Sequence, residues 1–284
     1  MHGIIIGVDE SDGAAAALRW GVEHAHRRHE PVTALLAWTY RDQHQLDPNA
    51  EFDLRYGHDD AHRDLVAIVT RALGDDQDVQ LRTACGPAAA ALLEASTGAS
   101  LVVVGARGMG GFKGLLVGSV SREVLNRSSA PVAVVRESVA EPDGPIVVGI
   151  DGSPTSRRAL VWALDEARSR RCRVIAMTSW HISYAGDAYG TYLAADSLRG
   201  AAERLLDREL AQTNTSGLVA PPERRVEERP AAAALVDASA TSSMIVLGSR
   251  GHRPLTGLLL GSVSDQVTHH AHSAVVVVPP SAAQ

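Results

Sequence analysis

Two stretches of this chain are too rich in glycine for ordinary helix or strand. "GARGMGGFKGLLVGS" spans residues 105–119 and follows the apolar run Leu101–Val104. "GSRGHRPLTGLLLGS" spans 248–262 and follows Met244–Leu247. The two share Gly105/Gly248, Arg107/Arg250, Gly108/Gly251, Gly114/Gly257, Gly118/Gly261 and Ser119/Ser262, each pair 143 positions apart. Glycine lets a backbone approach a ligand closely and supplies positive φ where N–H groups form a nest. Each stretch ends in Gly-Ser directly before a helical pattern. Serine there suits a helix N-cap, and a helix N-terminus offers free N–H groups with a partial positive charge. Phosphate is the ligand that such an arrangement suits best.

The better-known phosphate motifs do not account for it. No Gly-x-x-x-x-Gly-Lys-Ser/Thr string occurs, and the turns after the first strands read "GVDES" and "GIDGS" rather than Gly-x-Gly-x-x-Gly. The pattern is Gly-x2-Gly-x9-Gly-Ser, present twice with its spacing intact. That doubling makes it far more specific than a lone glycine-rich loop.

The elements that must position these loops are also written twice. "IIIGVDESDGAAAALRWGVEHA" (4–25) answers to "IVVGIDGSPTSRRALVWALDEA" (146–167), pairing Asp9 with Asp151 and Ser11 with Ser153. "GPAAAALLEAS" (86–96) answers to "RPAAAALVDAS" (229–239), and "APVAVV" to "SAVVVV". Two tandem domains are expected, 1–138 and 144–284, joined by the polar, acidic segment "ESVAEPDGP". Strands are expected at 4–8, 32–38, 79–84, 101–105 and 132–135, then at 146–150, 174–179, 225–229, 244–248 and 274–278. Their short, mostly non-alternating apolar runs suit strands buried on both faces. Helical patterns lie between them, at 14–28, 58–73, 155–171 and 194–213. The alternation implies an α/β fold with parallel sheets and helices on both faces. The longest unpatterned stretch is 40–53, matched by 181–191, and loops of that kind commonly cover ligands.

Composition narrows the function class. A formal net charge of −6 argues against a broad nucleic-acid-binding surface, which needs clustered Lys and Arg. No apolar run approaches the ~20 residues of a membrane span. The opening "MHGIIIGVDES" lacks a basic region and does not read as a signal peptide. The two cysteines, Cys85 and Cys172, read as reduced, packed side chains rather than a disulfide. The expected location is the cytoplasm.

In its glycine motifs, its "GVDES" and "GIDGS" turns, Trp38 and Trp180 ending the second strands, and "GSVS" after each loop, the chain resembles the universal stress protein family, in its ATP-binding branch. The resemblance covers both halves. It implies two tandem, open, Rossmann-like parallel sheets of five strands, each in the order 3-2-1-4-5. It implies a regulatory role in stress response and two ATP per chain with Mg²⁺. By that likeness, Asp9 and Asp151 sit against the adenosine, Gly7 and Gly149 give the turn close approach, and the backbones of Trp38 and Trp180 meet the adenine edge. Gly105, Gly108, Gly118 and Ser119 surround phosphates and ribose, as do Gly248, Gly251, Gly261 and Ser262. Val120, Ser121, Val263 and Ser264 add N–H and hydroxyl groups. Arg107 and Arg250 counter phosphate charge or stand solvated. The halves are expected to pair as a pseudo-dimer through their last strands, and whole chains to form a homodimer.

Each assignment has a plainer alternative. Asp9 and Asp151 could merely cap a helix, although Ser11 and Ser153 suit the cap better. Trp38 and Trp180 could be core. His269, His270 and His272 invite a metal, yet the matching stretch "NRSSA" has no ligands and no acid or thiol lies close in sequence. His24, His26 and His29 read as solvated or half-buried. A nucleotidyltransferase would need His-x-Gly-His, and an ATP pyrophosphatase Ser-Gly-Gly-x-Asp-Ser; neither string occurs. The expectation is therefore a binding protein rather than an enzyme, with slow ATP hydrolysis or another nucleotide-dependent reaction as the alternative.

Overall fold

The computed structural model describes residues 3–39, 56–74, 78–109, 117–137, 141–181, 188–251 and 260–280, the side chains of 188–194 aside. These fall into two compact units, Met1–Ser138 and Val139–Pro280. In the first, β1 (Ile4–Val8), β2 (Val32–Trp38), β3 (Gln80–Cys85), β4 (Leu101–Gly105) and β5 (Val132–Val135) alternate with α1 (Asp12–Arg28), α2 (His58–Leu73), α3 (Ala88–Ala95) and α4 (Ser119–Arg127). In the second, β6 (Ile146–Gly149), β7 (Val174–Trp180), β8 (Glu223–Glu228), β9 (Met244–Gly248) and β10 (Ala274–Val278) alternate with α5 (Pro154–Arg170), α6 (Ala188–Ala211), α7 (Ala231–Ser239) and α8 (Ser262–His270).

Within the first unit the strands run β3-β2-β1-β4-β5, and within the second β8-β7-β6-β9-β10. Every ladder inside a unit is parallel. Strands such as Leu101–Gly105 and Ala274–Val278 are buried along their whole length. Their Val and Ile runs do not alternate because helices cover both faces. Register shows this directly. In-register neighbours share a face and consecutive residues oppose. Val148 pairs with Val246, so Gly149 and Gly248 face opposite ways. A Cβ on Gly149 would reach Leu235 of α7, whereas one on Gly248 would strike Thr155 of α5.

Local signals fix the helix ends. The Ser11 and Ser153 hydroxyls accept from Ala14 N and Ser156 N at the starts of α1 and α5, as expected of N-caps. Pro154 begins α5, where its missing N–H costs nothing. Both helices end on a left-handed residue, His29 (φ 54) and Arg171 (φ 51), that returns the chain to the next strand. Several expectations change. α6 starts at Ala188, so part of the stretch 181–191 is helix; its partner 40–53 lies outside the described residues. His24 is buried at 2% exposure and stacks on Trp20, while His26 and His29 are exposed. Cys85 is exposed, and burial pushes the half-buried Cys172 thiol up from its ordinary value. Among the described residues no helix is long and apolar enough to cross a membrane.

One ion pair locks α5 to α6. The Arg157 guanidinium donates to both oxygens of Glu209, at 2.6 and 3.2 Å, and Glu209 is 1% exposed. The bond to Arg157 holds the Glu209 carboxyl below the usual carboxylate range, against the opposing effect of burial. The folded state therefore releases this proton more readily than the unfolded chain. The resulting stability is present above the unfolded pKa of about 4.3 and is lost as pH falls through the folded value. Glu209→Gln should cost the second unit about 1–3 kcal/mol at pH 7. It should also flatten the loss of stability between pH 5 and pH 3 in urea unfolding. An unchanged pH slope in the variant would contradict the assignment.

Candidate functional site

In each unit β1/β4 or β6/β9 lie side by side at the point where strand order reverses, and ligands of open α/β sheets bind beyond such points. The turn after the first strand and the glycine stretch after the fourth meet there. In the first half Asp9 Oδ1 accepts from Ser11 N at 3.0 Å, and Asp9 Oδ2 accepts from Met109 N at 3.1 Å. The Ser11 hydroxyl lies 3.3 Å from the carbonyl of Arg107. In the second half Asp151 Oδ1 accepts from Ser153 N at 2.9 Å, and the Thr155 hydroxyl donates to the Arg250 carbonyl. Asp9 thus ties the two loops together, and it keeps lone pairs for a further donor.

The glycines are explained by what their missing side chains would strike. A Cβ on Gly105 would lie 2.6 Å from Gly13 C, and one on Gly248 would lie 2.7 Å from Thr155 Oγ1. These glycines let the first helix press against the end of the fourth strand. A Cβ on Gly108 would collide with the Asp9 carboxylate, and one on Gly251 would sit 2.7 Å from Asp151 Oδ2. Neither has positive φ, so close approach is the reason for glycine there rather than backbone conformation. Gly7 and Gly149 serve the core: the space of their side chains is filled by Leu92 Cδ1 (2.9 Å) and Leu247 Cδ2 (2.6 Å). Gly13 was not singled out in the sequence, although a Cβ on it would strike the Arg107 carbonyl.

The helix starts behave differently from expectation. Gly118 and Gly261 are the N-caps of α4 and α8, and Ser119 and Ser262 are the first helical residues. Neither cap has a side-chain hydrogen bond. The first intrahelical bonds are Arg122 N to Gly118 O and Asp265 N to Gly261 O. The N–H groups of 119–121 and 262–264 precede them, which is the anion-binding end of a helix. The Ser121 and Ser264 hydroxyls are turned inward. They donate to the carbonyls of Gly105 and Gly248, each at 2.7 Å, and so fasten the helix start to the strand end.

In the second half these groups enclose a cavity of ≈ 580 Å³, within the range of small-molecule sites. Gly149, Asp151, Gly248, Arg250, Gly251, Gly261, Ser262, Val263 and Ser264 all line it; Trp180 does not. Trp180 is buried, with the Arg199 guanidinium 6.0 Å from its ring. Trp38 is likewise packed, edge-to-face with Tyr56, and its carbonyl accepts from Gly86 N at 2.9 Å. Burial, followed by the hydrogen bond to Asp64, raises the Tyr56 phenol above its ordinary range. Arg107 is exposed, close to Arg136, whose pKa is pushed down by burial and then by that neighbouring charge. Sequence reasoning missed the apolar wall of the cavity, Met177, Ala231, Leu235 and Leu247, and the hydroxyls of Ser156 and Thr178. The doubled "AAAAL" segments at the start of α3 and α7 were the available signal. Contrary to the expectation that no acid lies close to the histidine cluster, Asp265 stands one helical turn before His269, its Oδ1 3.8 Å from His269 Nε2. Among the described residues no three potential ligands cluster for a metal.

Comparison with known proteins places the chain in a family and agrees with the fold. The model of the universal stress protein family matches residues 1–136 and again 144–279. A universal stress protein of Mycobacterium tuberculosis H37Rv is 33% identical over 294 residues, covering 99% of this chain and 98% of its own length. A second from the same strain is 31% identical over 290 residues, covering 98% and 97%. A solved universal stress protein structure from Archaeoglobus fulgidus shares the fold with a TM-score of 0.65 at 19% identity, over 98% of both chains.

The helix-to-strand contact carries a direct prediction. Gly13→Ala would force Arg107 O and α1 apart and should destabilise the first unit by about 1–3 kcal/mol. Scanning calorimetry checks this; an unshifted transition would show that the contact is not tight.

Proposed function

The chain belongs to the universal stress protein family, and from that premise we propose that each half binds one adenine nucleotide, as ATP with Mg²⁺, in a regulatory role in stress response in the cytoplasm. The observation that carries the reading is the second-half cavity. It joins a carboxylate, an apolar wall and an uncapped helix N-terminus within one ≈ 580 Å³ space at the switch point. The three features match the three parts of a nucleotide. Phosphates suit the N–H groups of Ser262, Val263 and Ser264 and the Gly251 backbone. Ribose hydroxyls donate to the Asp151 carboxylate, whose oxygens are acceptors alone. A flat base suits Met177, Ala231 and Leu235. The first half supplies the same parts in Gly108, Ser119, Val120, Ser121, Asp9 and Leu92. The cation would come with the triphosphate, held by its oxygens.

Among the described residues no general base stands over the phosphate end, so the reading is of binding first and slow hydrolysis at most. Pairing of the halves through β5 and β10, and of whole chains, belongs to the same proposal. Sedimentation of the full chain at micromolar concentration tests the latter; a single chain per particle would contradict a homodimer.

Titration calorimetry of nucleotide-free protein with ATP should approach two sites per chain. Gly108→Ala and Gly251→Ala place a methyl on the aspartate that the ribose needs. Each should weaken binding about tenfold in its own half, of order 1 kcal/mol or more, with the fold retained because both loops lie outside the strands. Wild-type affinity in the double variant would contradict the site.

A further inference from the structure

The turns that carry the two aspartates do not run alike. Gly152 takes left-handed backbone, with φ 81, whereas Glu10 in the same place does not. Side chains rarely tolerate that conformation, so the second turn needs its glycine. The peptide group after Gly152 is held at both ends. Its N–H, on Ser153, donates to Asp151 Oδ1 at 2.9 Å, and its carbonyl accepts from Arg157 Nη2 at 3.3 Å. Arg157, the fourth residue of α5, thus fixes the plane of the very peptide that orients the aspartate.

Arg157 is itself held from behind. Its Nε and Nη2 donate to the two oxygens of the buried Glu209 on α6. Nη2 is therefore shared between that carboxylate and the site turn. A planar guanidinium can serve two acceptors in a fixed fork, which an ammonium point charge cannot. The first half does this differently. Ala15 stands in the place of Arg157, and the Ser11 hydroxyl itself donates to Asp9 Oδ1. The matching Ser153 hydroxyl is turned elsewhere, to Thr155 Oγ1 at 3.1 Å and the Arg250 carbonyl at 3.4 Å.

We propose that Arg157 is a positioning residue for the second nucleotide site. Anchored on Glu209, it holds the 152–153 peptide, and through it the Asp151 carboxylate, in the orientation that receives the ribose hydroxyls. The grip of the second site on ribose thereby depends on how α6 is seated, a link that Ala15 cannot make in the first half. This rests on the nucleotide reading above and adds to it a connection from one site to a helix outside it.

The test is calorimetric titration of the full, nucleotide-free chain with ATP and with 2′,3′-dideoxy-ATP, which lacks the ribose hydroxyls. In the wild type each site should prefer ATP by about tenfold, the worth of hydrogen bonds to a carboxylate. Arg157→Met keeps an unbranched stem without the guanidinium, and Arg208 still donates to Glu209 Oε1 at 3.3 Å. It should lower the preference at one site to about threefold or less and leave the other site as it was. Arg157→Lys keeps a charge against Glu209 but not the fork, so its preference should fall likewise with the fold protected. If the Met variant does not fold, the Lys variant decides alone. A merely structural loss would weaken both ligands equally and leave their ratio intact. A full preference at both sites in either variant therefore overturns the proposal. A wild type that binds ATP at two sites but does not prefer it to the dideoxy analogue overturns this proposal and the ribose contact, and leaves nucleotide binding standing. A wild type that binds no ATP overturns the nucleotide reading as well.

Discussion

Everything in each half depends on one close contact, the first turn of a helix pressed against the end of a neighbouring strand. No side chain fits between Gly105 and Gly13, or between Gly248 and Thr155. Because those backbones touch, the aspartate after the first strand falls beside the glycine stretch after the fourth. Asp9 then accepts from both its own turn and Met109 N. The same proximity leaves room for only a hydrogen at Gly108 and Gly251. The inward serines, Ser121 and Ser264, fasten α4 and α8 to the same strand ends. Three elements are thereby fixed around one crevice with their free N–H groups and carboxylate facing it.

Much of this was legible in the sequence because it follows from period and repetition. Most of the buried parallel strands announce themselves as short apolar runs, and all ten strands lie within two residues of the spans expected, β8 the furthest off at its start. That strand begins at Glu223 and carries charge at five of its six positions, so no apolar pattern marked its start. As an edge strand it is half-exposed, and its charges are what an edge needs. The short helices α3 and α7 are dominated by alanine, which shows no clear polar face.

What sequence could not supply is which atom does a job at a position correctly marked. Ser119 looked like a cap, but Gly118 occupies that position and the serine is already helical. Ser121 looked available to a ligand, but its hydroxyl is spent on a strand carbonyl. Gly7 and Gly149 looked like loop glycines, yet leucine side chains fill the space they leave. Each difference is one of direction, which residue type and spacing do not encode. The doubled motif also concealed the departures between halves. Gly13 against Thr155 and Leu36 against Thr178 are invisible while the eye follows the shared glycines.

The central claim is that this crevice is built for an adenine nucleotide, and the most direct measurement is of what the purified protein carries. Denaturing the full chain and resolving the released small molecules by chromatography should yield adenine nucleotide, approaching two per chain after incubation with ATP and magnesium. Protein that releases none after that incubation, with its fold intact by circular dichroism, would contradict the account.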